Sequence, residues 1–487
     1  MMDTPIKKED IGSTFVKRIL GFSMASWINC LISLVSTPIV TALFSPEEFG
    51  KINLFISYAN ILIPFVYLGF DQAYVRFYND PSGKNNKVSL FKLCLGISSI
   101  AGAVVVLFVL ICWKFYSINI IGYTSFNIAV CLAAYLIATF VMRFVNLKAR
   151  MDNYIILFLI QSVLSTVIIK LAFVLVALYA PSANYAIAFR TVLLMLLSIV
   201  FLFIALKGSG LRKVDYSKEV MIGLTKFALP LFPTVFLVML NTSLSLIILR
   251  KMISYSEVGI YSSALSIAYI ITVVQAGLNT FWTPFVYEYY KEKSKIQKMH
   301  HIISFLMFGM ALVIMAFRDI IYSVLVNENY WQGKLILGIL LISPICETIS
   351  ETLGLGIELS KKTYLKLPVY IINIIVNISA CLVLIPKFGI FGAAVANALA
   401  SLSMLLVKTI IGERFYQCSN NYLKLIGGML IVIANALFIY FIDSLFLRSL
   451  STLLSILVLI IAYKGEYIYM VNYLFVTIRT LHKKRRI

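Results

Sequence analysis

Ser45–Gly50 reads SPEEFG, and 209 residues further on Ser254–Gly259 reads SYSEVG. Both copies fit S-x-x-E-[F/V]-G, and each follows the first apolar segment of its half of the chain. About 19 residues later Gly69 and Asp71 match Gly277 and Asn279, at an offset of 208. A six-residue match alone carries little weight. It gains weight because both copies occupy the same place in a longer apolar pattern.

That pattern belongs to a membrane protein. Of the 487 residues, 61% are hydrophobic and 13% charged, and the mean hydropathy is +0.94. Soluble domains run at roughly 45–50% apolar, so a bilayer is the solvent for this chain. A span needs about 20 mostly apolar residues. On that scale fourteen candidates begin near Leu20, Ile52, Leu90, Thr124, Tyr154, Asn184, Val220, Gly259, His301, Lys334, Tyr364, Gly389, Tyr422 and Leu445. Lys7, Lys8, Lys17 and Arg18 precede the first, and no signal-peptide cleavage pattern follows it.

Charge tests the count independently. There are 42 Lys and Arg against 21 Asp and Glu, a formal net charge of +21. With the N-terminus in the cytoplasm, 32 of the 42 fall in cytoplasmic loops and eight on the opposite side. Only Lys170 and Arg190 lie inside spans. Such an asymmetry is the positive-inside signature. It also removes the need for nucleic acid as the reason for the basic charge, since no soluble stretch is long enough for a reader module. The seven cysteines form no CxxC, and His300–His301 lack helical metal-ligand spacing. No metal or cofactor is implied.

The expected architecture is an all-α polytopic membrane protein. It has about fourteen transmembrane helices, in two parallel six-helix repeats plus two C-terminal helices. The expected divisions are 1–206 for the first repeat, 207–219 for a cytoplasmic linker, 220–412 for the second repeat, 413–464 for an extra hairpin, and 465–487 for a basic cytoplasmic or interfacial tail. Parallel repeats of this kind place a substrate cavity between them and rock between inward-open and outward-open states.

Several spans carry polar faces. Ser162, Thr166 and Lys170 recur at i, i+4 and i+8, flanked by Gln161 and Ser165. Ser343, Glu347, Ser350, Glu351, Gly354 and Glu358 share one helical face, as do Asn373 with Asn377. A charge near the middle of a span costs roughly 2.5–3.5 kcal/mol if it faces lipid, so Lys170, Arg190, Glu347 and Glu351 face protein or water. Two readings stay open. Lys170 pairs with Glu347 or Glu351 as structural glue, or the cations receive an anionic head group while the glutamates carry a coupling proton or sodium. Arg76 and Arg143 either snorkel to the cytoplasmic interface or, with Asp71, guide and gate entry at the cytoplasmic mouth. Asp71 and Arg76 are five apart, poor spacing for an ion pair on one helix.

The chain resembles the polysaccharide flippases of the multidrug/oligosaccharidyl-lipid/polysaccharide exporter superfamily, above all the O-antigen and capsule repeat-unit exporters. The likeness rests on FSPEEFGKINLF (Phe44–Phe55), LGFDQAYVRFY (Leu68–Tyr78) and KFALPLFP (Lys226–Pro233). RDIIYSVLVNENYWQGKLIL (Arg318–Leu337) and LIPKFGIFGAAVANALA (Leu384–Ala400) extend it. Asn327 stands where the family usually has glycine. The resemblance implies a bacterial cytoplasmic-membrane protein that does no covalent chemistry. Its substrate would be an oligosaccharide on undecaprenyl pyrophosphate, moved from the cytoplasmic to the outer leaflet. It implies proton or sodium coupling, contact with membrane lipids, and a polysaccharide polymerase and chain-length regulator as partners. It also implies that the C-terminal helix pair helps hold the lipid tail. No family motif fixes a binding residue. The rival readings are a membrane polymerase or glycosyltransferase, for which no DxD pair is present, and a cation-coupled drug antiporter, whose cavity should be acidic.

Overall fold

The computed structural model describes residues 8–79, 87–207, 218–272, 275, 282 and 285–472, with the side chains of 8–23, 26 and 363 not described. Gly277 and Asn279 of the repeat, the centre of the expected linker and the end of the basic tail therefore lie outside the described residues.

The described chain is helical. Eleven helices are long and apolar enough to cross a membrane. One of them, Lys366–Glu413, contains Gly389 at φ 56° and ψ −130°, which breaks it into two spans. The apolar stretch Trp27–Leu43 within Lys8–Leu43 is a shorter apolar helix, and Tyr255–Ala268 lies where a further span was expected to begin, near Gly259. By packing the chain forms two compact units: Met1–Ser266 with Leu325–Tyr330, and Ile267–Val324 with Trp331–Ile487. These units are defined by contacts and do not bear on where one sequence repeat ends.

In the first unit, Phe126–Met151 is the enclosed helix. It buries Leu132, Ala138 and Phe144 completely, with Ala183–Lys207 against one flank. Lys87–Ile111 covers the group and leaves Ile100, Val104, Leu107 and Ile111 on the outside, as a lipid-facing helix should. Lys8–Leu43 packs on Ile155–Val167, where Asn29 Nδ2 donates to Ser162 Oγ at 2.9 Å.

The paired motifs explain themselves here. Ser45 and Ser254 each cap a helix, accepting from the backbone N–H of Glu48 at 3.4 Å and of Glu257 at 3.2 Å. Serine and glutamate three apart are the usual residues of a helix start, so that part of the repeat has a local cause. The glycines do not. A Cβ on Gly50 would lie 2.0 Å from the Tyr255 carbonyl oxygen, and one on Gly259 would lie 1.9 Å from that of Pro46. Each copy fills the space its counterpart leaves empty.

A second close approach joins two other stretches singled out by the sequence. Leu68 and Gly69 both have positive φ (48° and 80°), ending Pro46–Tyr67 and restarting the chain as Phe70–Phe77. A Cβ on Gly69 would lie 2.5 Å from the Ala228 carbonyl oxygen. Ala228 belongs to Lys218–Met252, which runs through Pro230 and Pro233 unbroken. Phe65 meets Phe232 and Phe236 ring to ring at 5.1 and 5.0 Å.

In the second unit Ile342–Leu353 is the central element, with ten of its twelve residues buried. It packs along Lys366–Glu413. Tyr422–Phe441 and Leu445–Ala462 pack on each other and on Lys293–Ala316. Asn435 ties the pair, accepting from Ser451 Oγ at 2.9 Å. His300 and His301 are buried: His300 Nδ1 lies 2.8 Å from Thr352 Oγ1, and His301 Nε2 lies 2.7 Å from Asn420 Oδ1. The pair thus serves two separate contacts, one to the helix Ile342–Leu353 and one to the loop before Tyr422–Phe441.

Candidate functional site

In the first unit the polar stripe of the fifth span begins in protein contacts. Gln161 Nε2 donates to the Met142 carbonyl at 2.6 Å, and Ser165 and Thr166 return their hydroxyls to carbonyls one turn back. The α-helix then gives way to a π-helical stretch, Ile168–Ala172. Single π-turns inside α-helices are frequent at functional sites. Lys170 sits inside this one and is exposed, and no ion pair reaches it among the described residues.

Arg190 lies near enough for its charge to act on Lys170, but its setting differs. It is 1% exposed. Its guanidinium faces the rings of Phe55, Tyr135 and Phe173 at 5.6, 5.7 and 5.5 Å, and none of its three nitrogens has a hydrogen-bond partner among the described residues. Aromatic faces attract a cation through the ring quadrupole without using its N–H donors. Arg190 therefore adds positive potential beside Lys170 while offering no donor at the surface.

Asp71 does not meet Arg76. Its Oδ2 accepts from Arg143 Nε at 3.2 Å and Nη2 at 2.9 Å, with Gln72 Nε2 at 3.3 Å. Asp71 is buried and the Arg143 side chain is 39% exposed. Arg76 is exposed and has no ion pair among the described residues. The pair tying LGFDQAYVRFY to another helix is thus Asp71–Arg143.

In the second unit the polar stripe of the tenth span is a helix seam. Ser343 Oγ lies 2.7 Å from Ser401 Oγ. Lys408 Nζ donates to Glu351 Oε1 at 2.6 Å and to Ser350 Oγ at 3.4 Å. Gly354 makes room for it, since a Cβ there would lie 2.5 Å from Lys408 Cε. Asn373 Nδ2 donates to the Ala400 carbonyl at 2.8 Å. The reading of Glu351 as a partner for Lys170 is corrected: its partner is Lys408. Glu347, one turn before Glu351, is half-buried and lies beside Ser343. Glu358 pairs with Lys366.

Sequence reasoning missed Lys408 because it counted the residue with a loop. The signal was there. Ala396, Ala400, Met404, Lys408 and Gly412 recur every four residues and are all buried. A lysine on a small-residue face, five residues before the helix end, sits about 7.5 Å inside it and needs a carboxylate.

The first unit also holds a cleft of about 920 Å³, walled by Val145, Ile156, Leu157, Ile160 and Ile204, with Lys148 and Asp152 at its polar end. Those two charges pair at 2.5 Å. The cleft is amphipathic.

Solved structures share this arrangement of helices. The lipid II flippase MurJ in an inward closed conformation superposes with a TM-score of 0.62 at 16% identity, covering 93% of this chain and 99% of that one. The MATE multidrug transporter DinF-BH, solved as a complex, gives 0.60 at 15% identity, covering 85% and 98%. An inward-facing multidrug resistance MATE family transporter of the MOP superfamily gives 0.57 at 14%, covering 79% and 94%. At these identities the likeness is one of fold. No curated protein sequence matches the chain. The family model described as "polysaccharide biosynthesis protein" matches residues 15–288. More than half of the chain thus carries the pattern of one family on the helical fold of flippases and drug transporters, and this multi-pass membrane protein belongs to the polysaccharide biosynthesis protein family.

Proposed function

We propose that the chain is a flippase. It moves an oligosaccharide repeat unit linked to undecaprenyl pyrophosphate from the cytoplasmic to the outer leaflet of a bacterial cytoplasmic membrane, by alternating access. The product feeds O-antigen, capsule or exopolysaccharide assembly, beside a polymerase and a chain-length regulator. The observation that carries this reading is the unpaired Lys170, set in a π-helical turn with the Arg190 charge beside it. A pyrophosphate brings the negative charge those cations lack, and a head group of this polarity cannot cross about 30 Å of hydrocarbon unaided. Asp71–Arg143 and Arg76 guide entry at the cytoplasmic end, where the charge asymmetry also puts both termini. Glu347, and Glu351 once released from Lys408, carry the coupling proton or sodium.

The cation-coupled drug antiporter is the reading favoured by the likeness to multidrug transporters. A cationic drug would be repelled by Lys170 and Arg190, whereas an anionic lipid would be attracted. The test is export in cells where the chain is the sole exporter of its glycan. Lys170→Ala at wild-type protein level should strip surface polysaccharide and leave lipid-linked repeat units facing the cytoplasm. Undiminished export, or drug efflux in place of glycan export, overturns the reading.

A further inference from the structure

Arg318–Leu325 is a short helix joined directly to Lys293–Ala316. The sequence marked it only as a stretch of family resemblance. In the second unit it holds an unusual group of charges. Asp319 lies among three cations. Lys334 Nζ bonds Oδ1 at 2.7 Å, while Arg448 Nη1 and Arg318 Nε stand 3.8 and 3.9 Å from Oδ2. The last two distances are too long for hydrogen bonds. One carboxylate thus has two guanidinium groups near the same oxygen and satisfies neither.

The donors left over are specific. Arg318 is 2% exposed, and its Nη1 and Nη2 have no partner among the described residues. Arg448 gives Nη2 to the Asp443 carbonyl but leaves Nε unpartnered. The Tyr322 hydroxyl, beside Arg318, is buried and also unpartnered. The Asp443 carboxylate is close enough to act on Arg318. Three cations therefore face two carboxylates. Burial, partly offset by Asp319, pulls Arg318 down to about 10. Burial raises the Asp319 carboxyl, but Lys334, Arg318 and Arg448 outweigh it and hold the group below the usual carboxylate range.

We infer that Arg318, Arg448 and Lys334 form a binding site for a phosphate-type oxyanion. A tetrahedral oxyanion presents several acceptor oxygens at once, so two guanidinium forks and an ammonium can share it, as one carboxylate oxygen or a chloride cannot. Arg448 comes from Leu445–Ala462, the last described membrane helix, and Arg318 from the middle of the unit. A bound anion would join the C-terminal hairpin to the rest of the second unit. The charge asymmetry assigns this end to the outer face. The phosphate could come from a lipid headgroup in that leaflet or from free phosphate. The inference does not depend on which substrate is transported.

The experiment uses the full-length protein in neutral detergent. Sodium phosphate is titrated at constant ionic strength against a chloride control, and the unfolding temperature is read. A ligand that binds only the folded state raises it in a concentration-dependent way. The expected result is a rise specific to phosphate. Arg448→Gln, and the milder Lys334→Gln at a position a quarter exposed, should each need at least tenfold more phosphate for the same rise. Asp319→Asn should be destabilised in chloride and rescued by phosphate, which a purely structural ion cluster would not show. Native mass spectrometry with added phosphatidylglycerol or phosphatidylcholine separates the sources. A phosphatidylglycerol adduct lost in Arg448→Gln supports the site with a lipid as its ligand. A phosphate response without the adduct supports it with the free ion. Equal responses to phosphate and chloride, or responses unchanged in both variants, overturn the inference.

Discussion

The two units treat charge inside the membrane in opposite ways. In the second, Lys408 is enclosed and paired. Glu351 takes it at 2.6 Å, Ser350 supports it, and Gly354 leaves room for its stem. In the first, Lys170 and Arg190 have no carboxylate among the described residues, and aromatic rings receive Arg190. A satisfied pair between helices is a structural joint. A cation left without its counter-charge, in a solvent that penalises charge, is the opposite case. The teaching is that polar stripes of similar appearance in two spans need not share a job.

The sharpest way to break this contrast is Glu351→Gln. It strands the buried Lys408 cation, and breaking a buried pair from one side costs about 3–5 kcal/mol; the half-exposed Glu351 points to the low end, about 3. Thermal unfolding should fall accordingly, and Glu351→Leu with Lys408→Met should recover most of the loss. If the single change leaves stability unaltered, the pair is not a joint between these helices.

Gly50→Ala comes next. Its new methyl must displace the Tyr255 carbonyl, at an overpacking cost of about 2 kcal/mol. Gly259→Ala should cost about the same, and the double variant less than the sum because both wedge one contact. Additive losses would separate the two copies.

For the first unit, Lys170→Ala should leave unfolding unchanged yet cut glycan export roughly tenfold or more, the equivalent of one charge-assisted hydrogen bond of about 1.5–3 kcal/mol. Arg190→Met should keep or raise stability, since it removes an unpaired buried cation, while export also falls. A Lys170→Ala protein that unfolds more readily would make Lys170 another joint. The smallest effect belongs to Asp71→Asn. The Arg143 side chain is 39% exposed, so solvent screens the pair and the loss should be about 1 kcal/mol or less.

Much of the fold was legible because a bilayer enforces long apolar helices and sorts lysine and arginine by side. The fold class follows from that, while the family resemblance rests on particular stretches such as LIPKFGIFGAAVANALA. The break at Gly389 fell where a new span was expected to begin. What stayed hidden was pairing. Asp71 is five residues from Arg76 and 72 from Arg143, yet the fold chose the distant one, because only a second helix brings a guanidinium alongside. Lys408 was read as a loop residue because side assignment by charge cannot tell a headgroup anchor from a cation one turn inside. Lys170 stood out by its i, i+4, i+8 spacing, but its π-helical turn has no sequence signature.

The facing glycines of the two matched motifs, Gly50 and Gly259, have one further consequence. Because the backbone of each copy occupies the volume a methyl would take in the other, neither copy can acquire a side chain without disturbing its twin. A methyl at either glycine has to be met by a backbone shift at the other, so the two positions respond to substitution together.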